Sequence, residues 1–396
     1  MKKTRADLIF LIVYLAYTSI YIARVNLSQA GPELISSGVL DTAQLGLLGS
    51  VFSTLYSVGR FINGGLSDKA PPWSMISIGL ALCGVANIAV SFIPPFLAFF
   101  TLWMVNSYAQ SMLWSSVLCA VSGIYDEQKA KRRTSLMVTS VATGNILGIV
   151  LSTFLITKFG VGFAFLVPGG ITLVLGAAVF LTARDIPAPS AQSSKKHKSM
   201  VQLFKNPQLV LMLIPALFHG VMKENVTLWM TVFIVDTYVV DLGESAYFVF
   251  FIPVIAFLGR AGYGLVYKLL KENENTVSVM GFFLCIICGA VLCLGKTNIA
   301  VSVLMLSLVY TAASMINTSM LSIYPMNFLK SGNVASVSGI MDFATYLGAG
   351  VSAAIYGVVI KNFGYMPMFV SWIVISAISA IIILKINQQN KKEKSY

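Results

Sequence analysis

Residues 7–30 read DLIFLIVYLAYTSIYIARVNLSQA. A bilayer core about 30 Å thick is crossed by about 20 apolar residues in a helix. This run is long enough, with Asp7 at its edge and Arg24 inside it. Eleven further runs of the same kind lie near 43–66, 73–93, 95–124, 133–157, 160–183, 208–236, 242–270, 276–295, 298–329, 333–360 and 364–386. They are continuous, whereas a membrane barrel needs short alternating strands. Of the 396 residues 57% are hydrophobic and 11% charged, against about 25% charged in a soluble domain. Most of the surface therefore does not face water. The expected fold class is an all-α integral membrane protein of twelve transmembrane helices.

The start, Met1-Lys2-Lys3-Thr4-Arg5, has the basic character of a signal peptide. The apolar stretch behind it is too long and meets Arg24 with no small-residue cleavage site, so an uncleaved first helix is expected. Cys83, Cys119, Cys285, Cys288 and Cys293 all fall in the runs. The CxxC spacing of Cys285 and Cys288 reads as packing on an apolar helix. No disulfide, metal or cofactor is expected.

The net charge of +12 could point to nucleic acid, but its distribution excludes that. With the N-terminus inside, and run ends counted with the segments they adjoin, the cytoplasmic segments hold twenty of the 27 Lys and Arg residues, the external loops hold three, and four lie well inside the runs. That asymmetry places both termini in the cytoplasm. The polar stretch from Arg184 to Pro207 reads as a flexible linker. It divides the chain into an N-terminal six-helix half at 1–183, a linker at 184–207 and a C-terminal six-helix half at 208–396 with a short cytoplasmic tail. Lys195-Lys196-His197-Lys198 in the linker reads as a solvated patch at the lipid headgroups.

The halves repeat. Gly59-Arg60-Phe61-Ile62-Asn63-Gly64 in the second run recurs as Gly259-Arg260-Ala261-Gly262-Tyr263-Gly264 in the eighth. Ser111-Met112-Leu113-Trp114-Ser115-Ser116 matches Ser314-Met315-Ile316-Asn317-Thr318-Ser319, and Ala142-Thr143 matches Ala344-Thr345. Three matches at nearly one offset, in runs of equal rank, indicate duplication of a six-helix unit. Two pseudo-symmetric six-helix halves with a site near the midplane resemble the major facilitator fold.

An ionisable group at the centre of a span costs about 2.5 to 3.5 kcal/mol on insertion scales, so it should face a cavity or a partner. The intramembrane set is Arg24, Arg60, Lys223 and Arg260 against Glu224 and Asp342, a net of two positive charges. Arg24 and Lys223 are repeat mates in the first and seventh runs. Two cations at matching depth on opposite halves would clamp an anion, Arg as a planar fork and Lys as a point charge. The structural alternative is that Lys223 pairs with Asp342 or Glu224. Polar stripes at helical spacing read as walls of a wet path. They are Tyr14, Tyr17, Tyr21, Arg24 and Ser28 on the first run, and Trp103, Ser107, Gln110 and Trp114 on the fourth. His219, Lys223 and Thr227 form one on the seventh, and Tyr310, Ser314, Asn317 and Tyr324 one on the tenth. Arg60 and Arg260, near the cytoplasmic ends of their runs, read as gate or snorkelling residues. The glycine runs resemble no phosphate-cradling loop, and no nucleophile–base–acid set is present, so an enzyme is not expected.

Several motifs together carry a family resemblance. Tyr17-x3-Tyr21-x2-Arg24-x-Asn26-Leu27-x2-Ala30-x-Pro32, then Leu45-Gly46 and Gly64-x2-Ser67-Asp68-Lys69, resemble the organophosphate:phosphate antiporters of the major facilitator superfamily. Gln110-x-Met112-x-Trp114, Asn145 and Gly339-x2-Asp342-x3-Tyr346-Leu347-Gly348 extend the likeness to the eleventh run. The resemblance implies a phosphate site made by Arg24 and Lys223, with Trp229 matching a family tryptophan. Together with the polar stripes, which supply Asn317, it gives Tyr17, Tyr21, Gln110, Trp114, Asn145, Asn317, Asp342 and Tyr346 as substrate-binding residues. Arg60, Asp68, Lys69 and Arg260 would form the cytoplasmic gate. The chain departs from the family at Val25, where many relatives carry a second basic residue, at Gly144, at Ser111-Met112-Leu113-Trp114-Ser115-Ser116, and at Glu224.

The resulting expectation is a monomeric secondary transporter of a bacterial inner (plasma) membrane. It would exchange a small phosphorylated organic anion for inorganic phosphate by alternating access, with the lipid bilayer and those small anions as its partners and no nucleic acid. Two alternatives stay open. One is a transporter-like membrane sensor of phosphorylated sugars. The other is a proton-coupled symporter of a carboxylate or sugar acid, with Asp342 or Glu224 carrying the proton.

Overall fold

The computed structural model describes residues 3–67, 70–183, 185–186, 203–294, 298–331 and 334–393. Asp68, Lys69 and most of the predicted linker lie outside the described residues. The first part of the chain forms α1 (Lys3–Ser36), α2 (Thr42–Ser67), α3 (Pro72–Val90), α4 (Phe96–Ser111), α5 (Leu113–Ile124), α6 (Glu127–Phe159) and α7 (Phe163–Ala183). The second part forms α8 (Pro207–Tyr238), α9 (Leu242–Ala261), α10 (Tyr263–Leu269), α11 (Glu274–Leu292), α12 (Ile299–Asn317), α13 (Val334–Phe363) and α14 (Met366–Glu393). No strand occurs among the described residues.

Eleven of the described helices are long and apolar enough to cross a membrane on their own. The fourth predicted span is the exception. It is broken at Met112 into α4 and α5, so a count of twelve rests on reading these two as one interrupted span. The Ser111 hydroxyl donates to the Tyr108 carbonyl at 2.6 Å and the Ser116 hydroxyl to the Met112 carbonyl at 2.7 Å. Hydroxyls that bond back into a helix often bend it, although those of Ser140 and Ser307 do so inside unbroken helices. The repeat mate is irregular at nearly the same depth: α12 gives way to a π-helical stretch over Thr318–Ile323 and then a 3-10 stretch over Tyr324–Ser331. The predicted eighth span also breaks, at Gly262, into α9 and α10.

The chain forms two compact units, Met1–Ser193 with Val240–Phe250, and Ser194–Val239 with Phe251–Tyr396. In the first, α1 packs on α6 and α7, α3 on α7 and α4, and α2 on α4. In the second, α8 packs on α13 and α14, and α11 on α14 and α12. With α1, α3, α4, α6 and α7 matched to α8, α11, α12, α13 and α14, four of these pairings recur in both units, and the extensive one of α2 on α4 is particular to the first. The glycines that open the sequence repeat lie at corresponding seams. A Cβ at Gly59 would collide with Ser111, and a Cβ at Gly259 with Thr311. The repeat is thus a packing repeat, in which a small residue lets two spans approach.

Each unit is pinned by an asparagine two residues beyond its first-helix cation. Asn26 donates to Asn87 Oδ1 at 2.9 Å and to the Ala164 carbonyl at 3.2 Å, joining α1 to α3 and α7. Asn87 donates onward to the Cys83 carbonyl and to Asn106 Oδ1. In the second unit Asn225 donates to Ser352 Oγ at 2.7 Å and accepts from Trp229 Nε1 at 3.1 Å, joining α8 to α13. Asn26→Leu is therefore expected to fold less stably by about 1 to 2 kcal/mol, because two buried acceptors lose their donor. A thermal melt of the purified protein checks this, and an unchanged midpoint would remove Asn26 as a structural pin.

The start of α1 is held by charge. Asp7 Oδ1 accepts from Tyr125 at 2.8 Å, Arg133 at 2.8 Å and Lys129 at 3.2 Å. Burial, and next the bond to Asp7, push the Tyr125 phenol up from its ordinary pKa, so it stays a donor to that carboxylate.

Candidate functional site

In the first unit the candidate site is built around Arg24. An arginine in the middle of an apolar helix needs partners, and α2 brings two aromatic faces to it. The guanidinium carbon lies 4.7 Å from the centre of the Phe52 ring and 4.8 Å from that of Tyr56. Tyr21, on α1 itself, is at 5.8 Å. Phe52 and Tyr56 stack on each other with an interplanar angle of 11°. Attraction to a ring face stabilises a cation by about 0.5 to 2 kcal/mol, the upper end applying to desolvated pairs. The ring faces carry no net charge of their own, so these contacts do not neutralise the guanidinium.

Arg60 shares this seat. Its Nη1 donates to the Tyr56 hydroxyl at 3.2 Å, and its guanidinium carbon is 5.6 Å from the same ring. Tyr56 thus links two cations to which sequence patterns assign different tasks, substrate and gate. Neither Phe52 nor Tyr56 is among the residues that those patterns single out. The available signal is the stripe Phe52, Tyr56, Arg60, spaced four apart on one helix face. Tyr17 and Tyr21 meet edge to face at 5.5 Å between ring centres, and Tyr17 packs on Trp114 at 5.3 Å. This brings four predicted residues, Tyr17, Tyr21, Arg24 and Trp114, into one cluster. Asn145 is half-buried on α6.

Gln110 does not join them. It is 2% exposed, and its Nε2 donates to Asn106 Oδ1 at 3.2 Å and toward Cys83 Sγ. Trp103 and Ser107, on the same predicted stripe, are also buried, Trp103 among Phe52, Phe99 and Phe165. Most of that stripe is therefore internal packing of the first unit. A polar stripe on a helix predicts a non-lipid side, which here is the interior of the unit.

In the second unit Lys223 is the centre. Its Nζ pairs with Glu224 Oε1 at 2.8 Å and lies 5.8 Å from the centre of the Tyr346 ring. Of the two carboxylates that could pair with it, the one placed on the ammonium here is the sequence neighbour. Asp342 stands one turn before Tyr346 on α13 and is half-buried. Asn317 is the last residue of α12, at the entry to the π-helical stretch. Arg260 is half-buried in the last turn of α9. His219 belongs to packing: it is fully buried, and its Nε2 lies 2.8 Å from the Ala313 carbonyl of α12. Trp229 is likewise buried, on Asn225. No cluster of three or more His, Cys, Asp or Glu able to hold a metal ion occurs among the described residues.

Chemically, each unit carries a basic side chain in the middle of a span beside a tyrosine ring. Such a pair can take an oxyanion by charge-assisted hydrogen bonds.

The sequence and the fold match known proteins. The Major Facilitator Superfamily model matches residues 9–353. The chain is 28% identical over 181 residues to the "Membrane sensor protein UhpC" of Escherichia coli, covering 45% of this chain and 41% of that protein. It is 22% identical over 402 residues to the "Phosphoglycerate transporter protein" of Salmonella typhimurium, covering 90% of this chain and 83% of that protein. Among solved structures, a bacterial homolog of the human lysosomal transporter Spinster, in an inward-facing and occupied conformation, aligns with a TM-score of 0.81 at 12% identity. That alignment covers 98% of each chain and shows the fold alone.

Proposed function

The chain belongs to the major facilitator superfamily, and on that premise we propose that it is a secondary transporter of small phosphorylated organic anions, exchanging them for inorganic phosphate by alternating access. The observation that carries the reading is Arg24 seated on the faces of Phe52 and Tyr56. A planar cation in the middle of a span rests there on ring faces that carry no net charge of their own. A guanidinium so held offers two parallel donors to a phosphate. Lys223 is its repeat mate and supplies the second cation. Tyr17, Tyr21, Trp114, Asn145, Asn317, Asp342 and Tyr346 complete the substrate residues of this reading, with Phe52 and Tyr56 added. Arg60, Asp68, Lys69 and Arg260 serve the cytoplasmic gate. The protein acts as a monomer in a bacterial plasma membrane with both termini in the cytoplasm, an orientation supported by the distribution of Lys and Arg. The similarity to a phosphoglycerate transporter over most of the chain supports a phosphorylated substrate.

A second reading is a sensor that binds the same ligands, and the likeness to a membrane sensor protein favours it. Counterflow in proteoliposomes separates the two. Vesicles loaded with inorganic phosphate are expected to accumulate labelled phosphate esters without a pH gradient. Ligand binding without accumulation would replace the transporter by the sensor. Accumulation that needs a proton gradient would replace the exchanger by a symporter.

A further inference from the structure

The two repeats hold their central cations by different devices. Arg24 is followed by Val25, an apolar buried residue, and lies on ring faces, which attract a cation but carry no net charge. Lys223 is followed by Glu224, and the two close into an ion pair at 2.8 Å with 16% and 17% of their side chains exposed. Residues one apart on a helix do not face each other, so the pair exists because both stems are long enough to curl together. The consequence is a full negative charge in contact with the cation on the seventh predicted span, with no equivalent at Val25.

Resting on the reading of the chain as a carrier of phosphorylated anions, we propose that Glu224 sets the charge of the substrate group taken at Lys223. An anion arriving at Lys223 meets an ammonium that already holds a carboxylate. It must displace or share that carboxylate, a penalty common to every anion. The displaced carboxylate stays within side-chain reach and repels the newcomer. That repulsion scales with the newcomer's charge and is enlarged where water is scarce. Glu224 therefore disfavours a doubly charged group more than a singly charged one. The class it selects is a singly charged oxyanion, which for a phosphate ester is the monoprotonated form.

The test uses purified full-length protein and two matched probes, the 6-phosphate and the 6-sulfate of glucose, with the corresponding monoesters of glycerol as a second pair. At pH 8 the phosphate esters are doubly charged, their second pKa being about 6, and the sulfate esters are singly charged. Dissociation constants are measured by calorimetry for wild type, Glu224→Gln and Glu224→Asp. In Glu224→Gln both probes are expected to bind more tightly, and the phosphate gain should exceed the sulfate gain by about tenfold. Glu224→Asp keeps the charge and should keep the wild-type ratio. Equal gains, or no gain, in a wild-type background that binds the phosphate esters would overturn the charge-setting role and leave the carrier reading standing. Weaker binding of both probes in Glu224→Gln would make Glu224 a positioning group for Lys223 and also overturn the proposal. Failure of wild type to bind any of the four esters would instead overturn the carrier reading, and this inference with it.

Discussion

Arg24→Lys is expected to lose most transport while the protein still inserts and folds. The charge survives, so the cost of placing a cation in the span is unchanged. What disappears is the planar fork. An ammonium offers an anion one point contact where the guanidinium offers two parallel bonds, and one charge-assisted contact amounts to about 1.5 to 3 kcal/mol. At about 1.4 kcal/mol per decade that is roughly ten- to over a hundredfold in affinity. The seat is also lost, because a strongly hydrated ammonium rests less well than a weakly hydrated planar cation on the stacked Phe52 and Tyr56. Counterflow uptake at matched expression, together with substrate-induced thermal stabilisation, measures both consequences. Uptake at the wild-type rate in a well-inserted Arg24→Lys protein would remove Arg24 as an anion ligand.

Lys223→Ala is expected to do more damage than the loss of one ligand. It deletes the cation and leaves the Glu224 carboxylate, now without the ammonium 2.8 Å away. Removing one partner of a fully buried pair is destabilising by about 3 to 5 kcal/mol, and this part-buried pair should lose less than that. An incoming anion would then meet a negative subsite, so binding should fall below detection. Lys223→Arg should retain part of it. The double variant Lys223→Ala with Glu224→Gln should recover stability without recovering binding. Full substrate-induced stabilisation in Lys223→Ala would instead show that the ion pair is structural.

Much of the fold is legible in the sequence because membrane spans are constrained twice, by length and by polarity. The apolar runs locate the helices, and the glycines at Gly59 and Gly259 mark a duplication whose packing meaning appears against Ser111 and Thr311. Hydropathy does not reveal the break at Met112, since the residues on both sides of it continue one apolar run. In the site, the intramembrane cations stand out by their expense. Their partners do not. Phe52 and Tyr56 escape because their repeat mates are Ile252 and Ala256, so symmetry gives no hint of a shared aromatic seat. Gln110 reads as a path residue because helical spacing shows which residues share a side, not what that side faces; here it faces Asn106 and Cys83. Glu224 is a possible partner of Lys223 on sequence grounds, but adjacency on a helix argues against contact unless both side chains are long.

The difference between the two cations also bears on how the chain is made. Spans enter the bilayer in order from the N-terminus as the chain is synthesised. Lys223 arrives with its counter-charge on the very next residue, so the centre of α8 can be handed to lipid with its charges already matched. Arg24 and Asn26 arrive early, before the ring faces of α2, the carboxamide of Asn87 on α3 and the carbonyl of Ala164 on α7 have been translated. An arginine at a span centre costs about 2.5 to 3.5 kcal/mol on insertion scales. The first span must carry that cost, or wait at the insertion machinery, until its neighbours emerge. Biogenesis of the first half is then a matter of timing, and that of the second begins with a helix whose central charges are already matched.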